Sequence, residues 1–356
     1  MMIERLELKN FTVFSDLKLN FSPKINVIIG ENGTGKTHLL KAAYALCAGL
    51  SLLPSPPDAD RDEAARALTV ALQRIFLPLD DKIGKLHRLG ATGQALLAAR
   101  FDAGRELAVS LSNNSKNLVV KKLPAGEKGQ AGAVFVPTKE VLAFMKGFNS
   151  LYAKYELSFD QTFQDLCLLL DLPELRPDAL HEKSRWAIEE LEKVCGGRFV
   201  FYGGGKVTFK TGNAEYSANV MAEGFRKAGM LARLLQTGAI QPGVGGPLFW
   251  DEIEANMNPK LMRLFVEILL ELSRNGQQIV LTTHDYVVLK WFDLLLDKKK
   301  GDHVRFHHLQ YRDDAGVIGA ESRDEYTIVG DTSISDTLAE IYDEDVRRAL
   351  ECDDAL

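Results

Sequence analysis

The chain has 356 residues, 46% hydrophobic and 26% charged, which is ordinary globular composition with enough apolar material for one large core or two smaller ones. Its 43 basic and 49 acidic residues leave a net charge of −6, which excludes a global electrostatic pull toward nucleic acid or anionic lipid and leaves only a local patch to serve either. Cys47, Cys167, Cys195 and Cys352 lie far apart with no C-x-x-C pair, so neither a zinc site nor a disulfide framework is signalled, and no apolar run approaches about 18 residues. The expectation is a cytoplasmic protein with no membrane segment.

In chain order, Met2–Asn10 alternates apolar and charged residues, Leu17–Phe21 repeats the pattern before Ser22-Pro23, and both read as half-buried strands. Val27, Ile28 and Ile29 form a β-branched run without polar alternation, as expected of a strand buried on both faces. Gly30, Gly33, Gly35, Lys36 and Thr37 then satisfy G-x-x-x-x-G-K-[ST], and Leu39–Ala48 favours helix. Such a loop lets backbone N–H groups converge on phosphate oxygens at a helix N-terminus. Lys36 would reach the β- and γ-phosphates, and the Thr37 hydroxyl would hold Mg²⁺.

Leu50–Pro57 breaks the helix, and Asp58–Phe76 resumes it with a cap at Asp58 or Asp60. Ala95–Val109 and Leu118–Val136 read as short strands of an antiparallel lobe. Pro137-Thr138-Lys139-Glu140 ends a buried strand, and is either a ligand-facing polar edge or a plain strand-to-helix connection. Val141–Val194 is helical by periodicity, with breaks at Pro173 and Pro177 and no sustained heptad. Phe199–Lys210 supplies two strands around a Gly203–Gly205 hairpin turn, and Met221–Leu235 returns to helix.

Pro247–Trp250 is an apolar strand running into Asp251-Glu252, a pair of adjacent carboxylates whose repulsion a bound Mg²⁺ would relieve. In that arrangement Asp251 orients the metal and Glu252 polarises the attacking water. Gln278–Thr282 is a second apolar strand, ending at Thr283-His284-Asp285, where His284 can donate to a γ-phosphate. In the tail, His303, His307 and His308 read as a solvated strand rather than a metal site, and Lys298–Lys300 as a solvated loop. Leu338, Ile341, Tyr342, Val346 and Leu350 recur at helical spacing, a stripe expected to pack on the body.

The segments NFTVFSDLKLNF, GENGTGKT, FWDEIEANMNP and LTTHD, in that order, resemble the ABC-type ATPase heads of the RecF, SMC and OLD (overcoming lysogenization defect) group. The resemblance implies an α/β P-loop NTPase of ABC-ATPase type with an antiparallel β lobe and a helical lobe. It implies ATP and Mg²⁺ as cofactors, held by Gly30, Glu31, Asn32, Gly33, Thr34, Gly35, Lys36, Thr37 and His38, with Thr37 and Asp251 on the metal. It assigns Lys36, Glu252 and His284 to catalysis, Ala255–Asn258 to the D-loop, and Ala222–Arg226 to the signature loop that contacts the partner subunit's nucleotide. The usual signature serine is missing, so Gly224 and Arg226 are left for that contact, and Thr12 stands where relatives often carry arginine. No N-K-x-D guanine signature is present, which favours ATP.

The division implied is a single head over 1–356: P-loop core start 1–50, helical insertion and β lobe 51–136, helical lobe with signature-like loop 137–235, Walker B and switch-histidine core 236–310, and C-terminal helical tail 311–356. No OLD-type nuclease is expected in the 72 residues after His284, and the interval between Lys36 and Asp251 shows no heptad run of the SMC coiled-coil kind. The expected protein is an ATP-dependent homodimer that controls an effector partner in anti-phage defence. The alternative is a RecF-like repair factor that clamps nucleic acid.

Overall fold

A computed structural model describes residues 1–52, 61–124, 132–312 and 316–353. The expected caps at Asp58 and Asp60 lie outside the described residues.

Two sheets sandwich one helix. The central sheet runs β14-β13-β3-β12-β11-β7, built from β3 (Ile25–Gly30), β7 (Val134–Val136), β11 (Leu248–Trp250), β12 (Ile279–Thr282), β13 (Val304–Tyr311) and β14 (Ile318–Arg323). The first five named are parallel to their neighbours, and β14 alone pairs antiparallel, with β13. A second, antiparallel sheet runs β2-β1-β4-β5-β6, from β1 (Ile3–Phe11), β2 (Phe14–Asn20), β4 (Ala95–Phe101), β5 (Glu106–Leu111) and β6 (Val119–Lys122). The lobe expected over 51–136 is therefore corrected twice. It recruits β1 and β2, whose alternation buries one face, and it loses Val134–Val136, whose three buried residues suit an interior sheet.

The helix α1 (Lys36–Leu52) lies between the sheets, with Leu39, Leu40, Ala42, Ala43, Leu46 and Cys47 all buried. Residues alternate across β3: Ile28 joins the α1 side, while Ile25, Val27 and Ile29 face a second core. Two buried amides stitch the sheets at their base. The Gln278 side chain accepts from Ile3 N (2.9 Å) and donates to the carbonyls of Ile3 (2.8 Å) and Ser22 (2.9 Å). Asn26 exchanges hydrogen bonds with the Ser22 backbone at 2.7 and 2.9 Å. Buried polar groups satisfied in this way fix register, because any slip would orphan them.

The second core packs α3 (Phe148–Lys154), α4 (Gln161–Leu170), α5 (Glu182–Cys195), α6 (Glu223–Gln236), α7 (Pro259–Arg274) and α8 (Tyr286–Leu295) around the other face. Between α5 and α6 a small sheet, β10-β9-β8, comprises β8 (Arg198–Phe201), β9 (Val207–Thr211) and β10 (Ala214–Ser217), the last not expected from sequence. The helix α2 (Arg61–Phe76) covers the antiparallel lobe through Leu68, Leu72 and Ile75.

Three tail expectations fail. The histidine-bearing strand β13 is interior, with His307 fully buried and His308 nearly so. His307 is tolerated because Nδ1 meets Ser322 Oγ at 2.7 Å and Nε2 meets Asn26 Oδ1 at 3.3 Å. Residues 311–356 are not purely helical, since β14 extends the central sheet before α9 (Ser333–Asp353). The stripe on α9 does not pack on the body: Ile341, Tyr342 and Leu350 are 57, 68 and 62% exposed. The Lys298–Lys300 loop is exposed, as expected. Among the described residues no helix is long and apolar enough to cross a membrane, and Cys47, Cys167 and Cys195 are buried without a disulfide.

Candidate functional site

Strands β3, β11 and β12 end side by side, so the segments that follow them converge at one sheet edge, where open α/β sheets place ligands. After β3 the chain turns through Gly30, Gly33 and Gly35, whose φ angles of 152°, 86° and 86° disfavour any Cβ. Space forbids one as well: at Gly30 it would stand 2.5 Å from Leu309 O, and at Gly35 2.6 Å from Val13 Cγ2. Thr34 Oγ1 donates to Glu31 O (2.8 Å) and braces the loop. Lys36, 8% exposed, curls back so that Nζ donates to the carbonyls of Gly30 (2.7 Å) and Glu31 (3.0 Å). Burial lowers its proton affinity, and Glu252, Asp251, Glu254 and Glu31 pull it back up. Glu31 and Asn32 are exposed at the loop tip, and the exposed His38 sets its ring edge-on to Phe76 at 5.8 Å.

Thr37 Oγ1 donates to Asp251 Oδ2 at 2.9 Å, closing a gap of 214 positions in sequence. Two further hydroxyls share that carboxylate: Thr282 Oγ1 reaches Oδ1 (2.7 Å) and Thr138 Oγ1 reaches Oδ2 (3.2 Å). The segment Pro137–Glu140 thus meets the ligand edge, and Thr138 and Thr282 are site residues the sequence reading did not assign. These donors offset part of the repulsion between Asp251 and Glu252. Thr282 Oγ1 also accepts Glu252 N–H (2.8 Å), which holds Glu252 in a left-handed turn at φ 47°. Such a backbone geometry is one L-residues adopt only when their surroundings enforce it.

His284 stands beside this pair, its side chain 52% exposed, with Nδ1 3.9 Å from Glu252 Oε1 and 3.2 Å from Glu254 Oε1. The same Glu254 oxygen accepts His284 N–H at 2.9 Å. Burial raises the proton affinity of Glu254, while hydrogen bonds from the His284 backbone and Thr283 oppose the shift. Glu254 was not assigned from sequence; its signal is the third acid in Asp251-Glu252-Ile253-Glu254.

The structure does not bring the signature-like residues into this cluster. Gly224, on the first turn of α6, packs against the stretch after Glu254, where a Cβ would lie 3.4 Å from Asn256 O and 3.6 Å from Met257 Cα. Arg226 Nε pairs with Glu140 Oε1 at 2.7 Å, and Nη1 donates to Met221 O, so its guanidinium is engaged within the chain. Thr12 Oγ1 is buried without a hydrogen bond.

The ligand fit follows from these contacts. Mg²⁺ takes few protein oxygens and keeps water and phosphate as its other ligands, which matches one hydroxyl and one carboxylate, Thr37 and Asp251, already in contact. The Lys36 ammonium, resting on loop carbonyls, occupies the cradle a phosphate would share.

The family described as "AAA ATPase domain" matches residues 1–90, and that described as "AAA domain, putative AbiEii toxin, Type IV TA system" matches residues 170–290. The DNA replication and repair protein RecF of Ligilactobacillus salivarius is 32% identical over 195 residues, covering 54% of this chain and 44% of that protein. RecF of Lactobacillus johnsonii is 50% identical over 168 residues, covering 45% and 38%. The chain has the P-loop ATPase fold of SMC heads and is similar in sequence to RecF over part of its length. Its matches span less than half the length of these RecF proteins. The head shares its fold with the SmcHead in a structure bound to the C-winged helix domain of ScpA, with TM-score 0.55, 16% identity and coverage of 92% of this chain and 99% of that one. The SMC head domain from Thermotoga maritima superposes with TM-score 0.50 at the same identity, covering 91% of this chain and all of that one.

Proposed function

We propose that this head binds ATP with Mg²⁺, dimerises around it, and hydrolyses it as a switch controlling a partner effector in anti-phage defence. The observation that carries the reading is the Thr37–Asp251 contact at 2.9 Å, with Lys36 on the P-loop carbonyls and the Glu252 N–H bound to Thr282 Oγ1. Lys36 binds the β- and γ-phosphates, and Thr37 and Asp251 hold the metal, which when bound neutralises charge on the transferred phosphoryl group. Glu252 takes the proton of the attacking water, a step that needs a carboxylate free of other hydrogen bonds and close to the γ-phosphate. His284 donates to that phosphate. Gly224, at the N-terminus of α6, supplies the trans contact to a second subunit's nucleotide, with Arg226 reaching it once released from Glu140.

The defence assignment is supported by the printed description of the family matching residues 170–290, a putative AbiEii toxin of a type IV toxin–antitoxin system. An effector contact is supported by the fold shared with an SMC head that binds a winged-helix domain. The second reading, a RecF-like repair factor on nucleic acid, is favoured by the RecF proteins among the matches. The test is to purify the chain with Glu252→Gln and identify what co-elutes with ATP. A protein effector supports the switch, co-purified DNA moves the repair reading ahead, and failure of the chain to bind ATP overturns both.

A further inference from the structure

A cavity of about 720 Å³ opens between α1, α2 and α4, within the roughly 300–1,000 Å³ typical of small-molecule sites. Its walls are mainly apolar: Ala67, Val70 and Ala71 come from α2, Leu168 and Leu169 from α4, and Ala48 from α1. Ala67 and Ala71 stand one turn apart on one face of α2, and their short side chains leave the space that longer ones would fill. The charged groups on the lining balance, Glu63 and Asp165 against Arg66 and Arg74, so the cavity carries no net charge to draw an ion. It is also separate from the P-loop. Tyr44 and Ala48 lie seven and eleven positions beyond Thr37 on α1, about 10–16 Å along the helix axis. Between them and the P-loop, Lys41 Nζ pairs with Asp160 Oδ2 at 2.7 Å and joins α1 to the start of α4.

The next residue, Gln161, supplies the polar feature that selects a ligand. Its Nε2 donates to Asp165 Oδ1 (2.7 Å) and Gln164 Oε1 (2.9 Å), which fixes the orientation of the amide, while the Tyr44 hydroxyl donates to the other Asp165 oxygen (2.7 Å). Gln161 Oε1 is thereby left buried with no hydrogen-bond partner. A buried carbonyl oxygen without a donor is costly, so a molecule that fills the cavity and brings a donor binds better than one that does not.

We propose that this cavity is a ligand site distinct from the ATP site, for a small neutral molecule with an apolar, ring-based body and one O–H or N–H group that donates to Gln161 Oε1. The body displaces water from Ala48, the α2 stripe and Leu168, where removal of apolar surface from water is favourable. The donor gives selectivity, because an analogue without it seals Oε1 away from water and leaves it unpaired. A molecule seated there touches α1, α2 and α4 together.

The test is calorimetric titration of the full chain with 2-naphthol, which has the ring body and one O–H, against 2-methoxynaphthalene, whose methyl group removes the donor. The wild type is expected to bind one 2-naphthol per chain about tenfold more tightly than the ether, with or without ATP and Mg²⁺. Ala71→Trp, which fills the cavity, should abolish binding of both probes and leave ATP binding unchanged. Gln161→Met, which keeps the length of the side chain without the amide, should bring the two affinities together. Should Ala71→Trp fail to fold, Val70→Trp, at a position 46% exposed, makes the same comparison. The proposal is overturned by absence of saturable binding, by displacement of 2-naphthol with ATP, by equal wild-type affinity for the two probes, or by unchanged affinity in the tryptophan variant. Lys36→Ala, which disables the P-loop, is expected to keep the full 2-naphthol affinity, so a failure of the ATP reading is distinguished from a failure of this one.

Discussion

Asp251 is held by three threonine hydroxyls from three segments, and Thr282 serves twice, donating to Asp251 and accepting from Glu252 N–H. Replacing Thr282 with valine keeps the shape but leaves that N–H without its acceptor, a loss of about 1–3 kcal/mol. Urea unfolding of Thr282→Val should show it, and an unchanged midpoint would mean the hydroxyl is dispensable. Lys36→Ala should abolish ATP binding by calorimetry, since the cradle loses its one long-reaching cation. His307 gives a pH dependence. Burial pushes its pKa down to about 3, so the folded chain keeps it neutral while the unfolded chain protonates it below its ordinary value of about 6.5. The unfolded state then binds more protons, and stability from this group falls as pH drops from about 6.5 toward 3, by about 1.4 kcal/mol per pH unit. His307→Leu should flatten the stability profile between pH 6 and 5 by about that slope; a parallel profile would contradict the buried neutral histidine.

At the scale of elements, legibility followed from what a pattern can encode. The β3 run INVIIG announced a strand covered on both faces because every position is apolar or, at Asn26, satisfied by the Ser22 backbone. VRFHHLQY in β13 misled because histidine, arginine and glutamine read as solvated, whereas His307 is paid for by Ser322 and Asn26, partners remote in sequence. The P-loop, Asp251, Glu252 and His284 were legible as motifs; Thr138, Thr282 and Glu254 were not, since a hydroxyl or a third acid acquires meaning only when strands bring it within reach. The α9 stripe marked a helix face but could not say whether anything covers it. Ile341→Ser should therefore change stability by less than about 0.5 kcal/mol, as for an exposed position. Leu231→Ala in α6, fully buried, should cost about 2–5 kcal/mol. Denaturant midpoints of the two variants decide it, and equal losses would mean that α9 is packed in solution.

Across the whole molecule, two apolar cores share the central sheet, so α1 with its P-loop is braced from one side and α6, α7 and α8 from the other. Ligand at the sheet edge is therefore placed to bias both layers. The net charge of −6 leaves any DNA contact local, so filter binding should show weak affinity falling steeply between about 50 and 200 mM salt. Tight, sequence-selective binding at physiological salt would instead favour the repair reading. Dimerisation is tested by light scattering of Glu252→Gln with and without ATP and Mg²⁺, where a mass independent of nucleotide would refute an ATP-driven dimer. The central claim is that Lys36, Thr37, Asp251 and Glu252 form one hydrolytic site, and steady-state ATP turnover of the wild type against Glu252→Gln at saturating ATP and Mg²⁺ tests it most directly. Loss of the positioned base should slow turnover about 10²–10⁴-fold while ATP stays bound; equal turnover in the two proteins would contradict the assignment.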